Sequence, residues 1–283
     1  MSFGERITIP RYPAQEGEGP SAIDTSYVNG LQKGSTIAKG LFANVHFAAS
    51  IRPDGSLEED RRFVIKDYHP KVTPLSEAVR RASSAAEVHA ILLDAGVKHV
   101  PAICQQINNG TAIAVSNLNT DTQIAVGEEK ENDIRSATRF GEMAITTELL
   151  HDLYKDVKKL SQRNISTKQG SYFAIVPIST APPERSSVSF SIGGLGKVQR
   201  IEATLDRRNM SIKDLFFMNF SQALEDMEVI LADIAGPSKA ASDIRGLCSA
   251  WRTALRNKQT GEEVPTFEEL AEESEKNIIT PSR

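Results

Sequence analysis

Two ionisable side chains of this sequence are spaced so that they could act on one another. Lys66 closes an apolar strand at Val64-Ile65-Lys66, and Glu87 follows on a segment of helical periodicity. A lysine ending a buried strand and a carboxylate on the apolar face of the next helix can share that environment only by pairing, because an unpaired buried charge costs too much. Such a pair is either architectural or a cation held still for an anionic ligand. The remaining candidates read as structure. His46, His69, His89, His99 and His151 lack metal-ligand spacing, and Cys104 and Cys248 lie far apart without a C-x-x-C pattern. The two cysteines are expected to be reduced and buried. Asp152 and Asp156 share an amphipathic helix with Lys155, Lys158 and Lys159, which reads as a charged outer face.

The elements that must position Lys66 and Glu87 follow from local pattern. Residues 1–33, rich in Gly, Pro, Ser and Glu, show no sustained period and read as a flexible N-terminal arm. Residues 34–50 suit two paired strands, Pro53-Asp54-Gly55 supplies a turn, and residues 61–68 suit a third strand. Thr73-Pro74 marks a helix start, with Leu75, Val79, Ala82, Ala86, Ala90 and Leu93 as its apolar stripe and Gly96 as its stop. Residues 100–107 and 111–118 flank Asn108-Asn109-Gly110, a hairpin signal. Residues 121–133 read as an exposed acidic loop. Helical periods follow over residues 143–160, 216–234, 240–256 and 266–278, the last opened by a Thr266-x-x-Glu269 capping box. Short strand-like pieces, 172–178 and 188–192, lie between the first two, before a bend at Gly193-Gly194-Leu195-Gly196. The spacing therefore predicts two domains, 34–120 and 121–283.

Composition excludes several classes of function. The chain has 283 residues, 40% hydrophobic and 25% charged, which suits a globular protein. A formal charge of -4 gives no global basic field for nucleic acid. No run reaches the roughly 18 apolar residues of a membrane span, so a cytoplasmic protein is the expectation.

The order of five strands with a helix after the third, then a helical half, resembles the protein kinase fold over about residues 34–278. Ile37-Ala38-Lys39-Gly40-Leu41-Phe42-Ala43-Asn44-Val45 resembles the glycine-rich loop, keeping Gly40 of its three glycines, the tip aromatic Phe42 and Val45 over the base. Val64-Ile65-Lys66 is similar to the nucleotide-positioning lysine motif, and Glu87-Val88-His89-Ala90-Ile91-Leu92 to its helix partner. The resemblance thus implies an α+β, bilobal kinase-like fold with a five-stranded antiparallel first lobe, one main helix, and a mainly helical second lobe. Its nucleotide cleft would hold Gly40, Val45, Lys66 and Glu87. The catalytic positions are degenerate: Gln169 stands for the base aspartate, Ala174 for the metal-binding asparagine, and Ser191 for the second metal-binding acid. Asp206 is no substitute, since the partner asparagine would fall at Ser211. Lys197, Arg200, Arg207 and Arg208, where a kinase carries its activation segment, form a basic patch suited to an acidic partner or phosphate.

What the resemblance implies is a pseudokinase, a protein-interaction module acting as scaffold, allosteric activator or decoy, without ordinary phosphoryl transfer. Its partner would be another protein, a kinase or signalling component, with no nucleic acid or membrane. Its cofactor is either none or ATP without magnesium. The alternative is an atypical nucleotide-dependent transferase on a kinase fold, with a secreted bacterial effector as a further reading.

Overall fold

The structure is a computed structural model. It describes residues 6–9, 21–40, 43–68, 73–107, 110–120, 123–127, 145–177, 188–201, 210–261 and 263–279. The chain divides into two compact units, residues 1–90 with 100–121, and residues 91–99 with 122–283.

The first unit opens with a short antiparallel pair, β1 (Arg6–Ile9) and β2 (Ser21–Asp24), and a helix, α1 (Thr25–Asn29). Within the arm expected over residues 1–33, the described residues 6–9 and 21–29 form these elements. Val28 and Leu31 are fully buried, packed in one cluster with Ala48, Phe63, Ile65, Ile107, Ala112 and Ala114. The apolar residues responsible are too few and too short in span to give a visible period.

A five-stranded antiparallel sheet follows: β3 (Gln32–Lys39), β4 (Asn44–Ile51), β5 (Leu57–Asp67), β6 (Cys104–Ile107) and β7 (Ala112–Ser116). Helix α2 (Leu75–Asp94) lies between the third and fourth of these strands in sequence. The order across the sheet is β3-β4-β5-β7-β6. The β4–β5 turn is the one the sequence predicts. Gly55 takes φ +83°, its amide donates to Arg52 O, and Asp54 accepts from the Ser56 amide at 2.9 Å. The expected Asn108-Asn109 turn lies outside the described residues, although β6 and β7 pair in the hairpin register it implies.

Gly96 ends α2 as expected, at φ +72°, with its amide donating to Leu93 O and that of Val97 to Leu92 O. The buried stripe of α2 is not the expected one. Ala78, Ala82, Ala85, Val88, His89 and Leu92 face inward, whereas Leu75 and Leu93 are exposed. Alanine recurs at many spacings here, so several stripes of similar apolarity compete and only packing selects among them.

The second unit contains β8 (Gln123–Val126), α3 (Thr147–Gln162), β9 (Ile165–Ser166), β10 (Phe173–Pro177), β11 (Ser189–Ser191) and β12 (Gln199–Arg200), then α4 (Ile212–Ala235), α5 (Lys239–Lys258) and α6 (Phe267–Ile279). Strand β8 corrects the acidic-loop expectation for residues 121–133, since Gln123–Val126 pairs antiparallel with β10. The glutamates of that stretch lie outside the described residues. The helices start at sequence-visible caps. Thr146 accepts from the Leu149 amide, Ser211 forms a capping box with Asp214, and Thr266 exchanges hydrogen bonds with Glu269. Their apolar faces meet in an aromatic core. The rings of Tyr154 and Phe216 are 5.3 Å apart, Phe220 and Trp251 6.1 Å, and Trp251 and Phe267 5.3 Å. The architecture is thus α+β, a five-stranded antiparallel sheet with one main helix followed by a mainly helical unit. Among the described residues, no helix is long and apolar enough to cross a membrane.

Candidate functional site

The sheet places two of the expected cleft residues, Val45 and Lys66, on neighbouring strands, with Gly40 just past the end of β3. Gly40 closes the β3–β4 hairpin by donating its amide to Ala43 O at 2.9 Å, and a Cβ there would sit 2.9 Å from the same oxygen. The turn itself therefore accounts for this glycine. Val45 on β4 is the cross-strand partner of both Ala38 and Lys66, so the Val45 and Lys66 side chains share a face. Lys66 is half-buried, its Nζ 5.4 Å from the centroid of the Tyr68 ring. Burial and the cation's surroundings act oppositely on Cys104, whose thiol is pushed up to about 12 by burial despite Lys66 nearby. Phe42 lies outside the described residues.

Glu87 is not where the sequence placed it. It is exposed, off the buried stripe of α2. The polar residue that does face inward is its neighbour His89, 4% exposed, with Nε2 2.6 Å from Pro101 O. Burial lowers the His89 pKa, so the neutral ring donates to that carbonyl.

Gln169, Ala174 and Ser191, which the resemblance sets at catalytic positions, all fall in the second unit. The segment Thr167 to Tyr172, between β9 and β10, carries Gln169, which is exposed. Ala174 is fully buried in β10, opposite Phe190 on one side and Val126 on the other. Ser191 on β11 is the cross-strand partner of Phe173, 5% exposed, and its hydroxyl has no hydrogen-bond partner among the described residues. Ala174 and Ser191 are thus brought together on adjacent strands, immediately after the segment that holds Gln169.

Two polar residues on α4 fix this segment. Asn219, fully buried, accepts from the Thr167 amide at 2.8 Å and the Thr167 hydroxyl at 3.1 Å, and donates to Ile165 O and Ser161 Oγ. Asp226, 2% exposed, accepts from the amides of Gly170 and Tyr172 and from Gln222 Nε2. Gly194 packs against the same loop, its amide donating to Ser171 O at 3.1 Å, and a Cβ there would overlap Gly170 O. The loop is therefore a backbone shape held from behind by side chains. Neither α4 residue was singled out in the sequence, yet a signal existed. Asn219 and Asp226 are seven residues apart, on one face of a helix whose stripe is otherwise Phe216, Phe220, Leu224 and Met227.

Asp156 is a second correction. It lies 1% exposed on α3, where the charged outer face was expected, and accepts from the amides of Lys98 and His99 and from His99 Nδ1 at 2.7 Å. Burial would raise its pKa, but these hydrogen bonds outweigh it and hold the carboxyl below the ordinary aspartate value. The His99 ring stacks on Phe190 with centroids 4.3 Å apart. His46 Nδ1 lies 3.2 Å from the Thr36 hydroxyl, and the His151 ring packs 4.8 Å from that of Phe267. Both cysteines are buried free thiols, and Cys248 is also pushed up to about 12 by burial. Asp206, Arg207 and Arg208 lie outside the described residues.

The donor set has a chemical consequence. Magnesium takes several hard oxygen ligands, commonly with one or two carboxylates. Ala174 offers no donor atom, Ser191 one neutral hydroxyl, and Gln169 one neutral amide oxygen. Asp226, the buried carboxylate behind the loop, spends its oxygens on backbone amides. These residues do not fit a magnesium clamp.

No family model and no curated protein matches the sequence. Among solved structures, the chain is similar to the kinase domain of PknI from Mycobacterium tuberculosis, a double mutant, at 10% identity and a TM-score of 0.46, covering 88% of this chain and 96% of that one. At that score the likeness establishes neither family nor activity. The fold class rests on the chain's own strand order and helices.

Proposed function

We propose that this chain is a pseudokinase: a kinase-like domain that binds another protein, as scaffold, allosteric activator or decoy, without ordinary phosphoryl transfer. The observation that carries the reading is the state of the loop at the catalytic-loop position. Its backbone is held in a defined shape by Asn219 and Asp226, while the chemistry-bearing positions around it are Gln169, Ala174 and Ser191. The loop has a supported backbone, and none of these three side chains carries a charge. Phosphoryl transfer depends on metal and positioned charge far more than on covalent chemistry by the protein, and a positioned general base alone is typically worth roughly 10² to 10⁴ in rate. The partner is another protein of the signalling kind, and nucleotide is either unused or held without magnesium.

The test is transfer from γ-labelled ATP, with magnesium, to the purified chain and to a generic protein substrate. The expected result is no label above the protein-free blank, unchanged in Lys66→Ala. Label in the wild type that Lys66→Ala removes overturns the reading.

One observation favours a second reading, an atypical nucleotide-dependent transferase. Lys66 and Val45 remain on one face of the sheet, as a nucleotide site on this fold would require. Thermal stabilisation by ATP that needs magnesium and is lost in Lys66→Ala supports it. No shift at millimolar nucleotide removes it.

A further inference from the structure

In the second unit, helices α4 and α5 pack side by side and leave a groove of about 430 Å³ between them. That volume lies in the usual range for a bound ligand or peptide side chain. Its floor is apolar: Phe217 and Leu255 are 6% and 3% exposed, while Met218 on the lip is 37% exposed. A methionine at a lip can adapt its shape to different apolar guests.

Charge at the groove is unevenly compensated. Arg252 is ion-paired with Glu228, and Asp214 is occupied as the capping-box acid of α4. Arg256 is exposed, and its guanidinium reaches only the Arg252 carbonyl and the Thr253 hydroxyl, with no carboxylate partner among the described residues. Nearby, Lys213 Nζ donates to the carbonyls of Gln259 and Gly261. Two cations thus border the trough: among the described residues Arg256 is bonded only to neutral oxygens, and Lys213 bonds two carbonyls and also lies beside the Asp214 carboxylate. A carboxylate would gain a charge-assisted hydrogen bond from either of them.

We propose that this groove binds an acidic peptide segment of a partner protein, which inserts one large apolar side chain between Phe217, Met218 and Leu255 and sets carboxylates against Arg256 and Lys213. The proposal rests on the interaction reading above for the bound segment belonging to another protein. The groove supplies the partner's chemistry, apolar anchor plus acid, which that reading leaves open.

The test is selection of a random short-peptide phage library on the full chain, followed by fluorescence polarisation with the enriched peptides. Enriched sequences are expected to place Asp or Glu beside Leu, Ile, Met or Phe. Arg256→Glu and Met218→Asp, both at exposed positions, are expected to weaken those peptides by at least about tenfold with unchanged melting temperature. A peptide with its acids changed to Lys is expected to regain binding to Arg256→Glu. Raising salt weakens the wild-type complex. The proposal is overturned by no enrichment, by enrichment without acids, or by enriched peptides indifferent to both variants. Label transfer from ATP would sink the pseudokinase reading and leave the groove result standing. Failure of the peptides without transfer would sink only the groove.

Discussion

The carboxylate of Asp226 accepts the backbone amide of Tyr172 at 3.1 Å, linking the middle of α4 to a loop 54 residues earlier. Its other oxygen takes the amide of Gly170 at 3.0 Å. Asp226→Ala strands both amides in a buried site, where each unpaired donor costs about 1–3 kcal/mol. Destabilisation of roughly 2–5 kcal/mol is expected in denaturant unfolding, with a smaller loss in Asp226→Asn, which keeps one acceptor. A loss below about 0.5 kcal/mol in the alanine variant, the scale of an ordinary surface change, contradicts this assignment.

Asn219 makes a broader test of the same support. Leucine is close in size but cannot accept from Thr167 or donate to Ile165 O, so Asn219→Leu leaves both ends of the contact unpaired. A cost of about 2–4 kcal/mol is expected. Amide hydrogen exchange at Thr167 should accelerate in the variant; unchanged exchange would show that the loop holds its shape without α4.

Acid sensitivity follows from Asp156. Its folded pKa lies below the unfolded value of about 3.9. The stability it contributes is therefore fully present above that unfolded value and is lost as pH falls through the folded one. Glu77, held at about 2 by hydrogen bonds from Arg80 and Arg81, and Asp60 act in the same direction, so the difference between wild type and variant isolates Asp156. Asp156→Asn should flatten the acid limb of the melting temperature against pH below about 4. An acid limb of unchanged steepness would contradict the role given to His99 and the Lys98 amide.

Two glycines should respond oppositely to alanine. At Gly194 a Cβ would lie 2.9 Å from Ser171 Cα and overlap Gly170 O, both backbone atoms, so Gly194→Ala is expected to cost about 1–3 kcal/mol. Gly246, inside α5, has nothing within 4 Å of the added carbon, and Gly246→Ala should stabilise by about 0.5–1 kcal/mol. Thermal melts of the two variants check the pair. Equal effects would mean that the close approach at Gly194 is relieved by small backbone movement.

The sequence by itself determined the elements whose cause is local. Gly55 and Gly96 had to adopt positive φ to turn and to end a helix, and Thr266 with Glu269 had to cap the last one. Turn signals between apolar stretches marked most of the sheet strands, and helical periods the long helices, and hence the α+β class. That Gln169, Ala174 and Ser191 carry no carboxylate was also readable, because it is a matter of residue identity. Only the tertiary structure decided what depends on contacts distant in sequence. It turned the stripe of α2 toward His89 and left Glu87 exposed, since an alanine-rich helix offers several near-equivalent faces. It buried Asp156, Asn219 and Asp226, whose polarity reads as surface until backbone amides from other segments arrive to satisfy it. The energy of such a residue lies in a partner more than 50 positions away, and no local pattern can encode that distance.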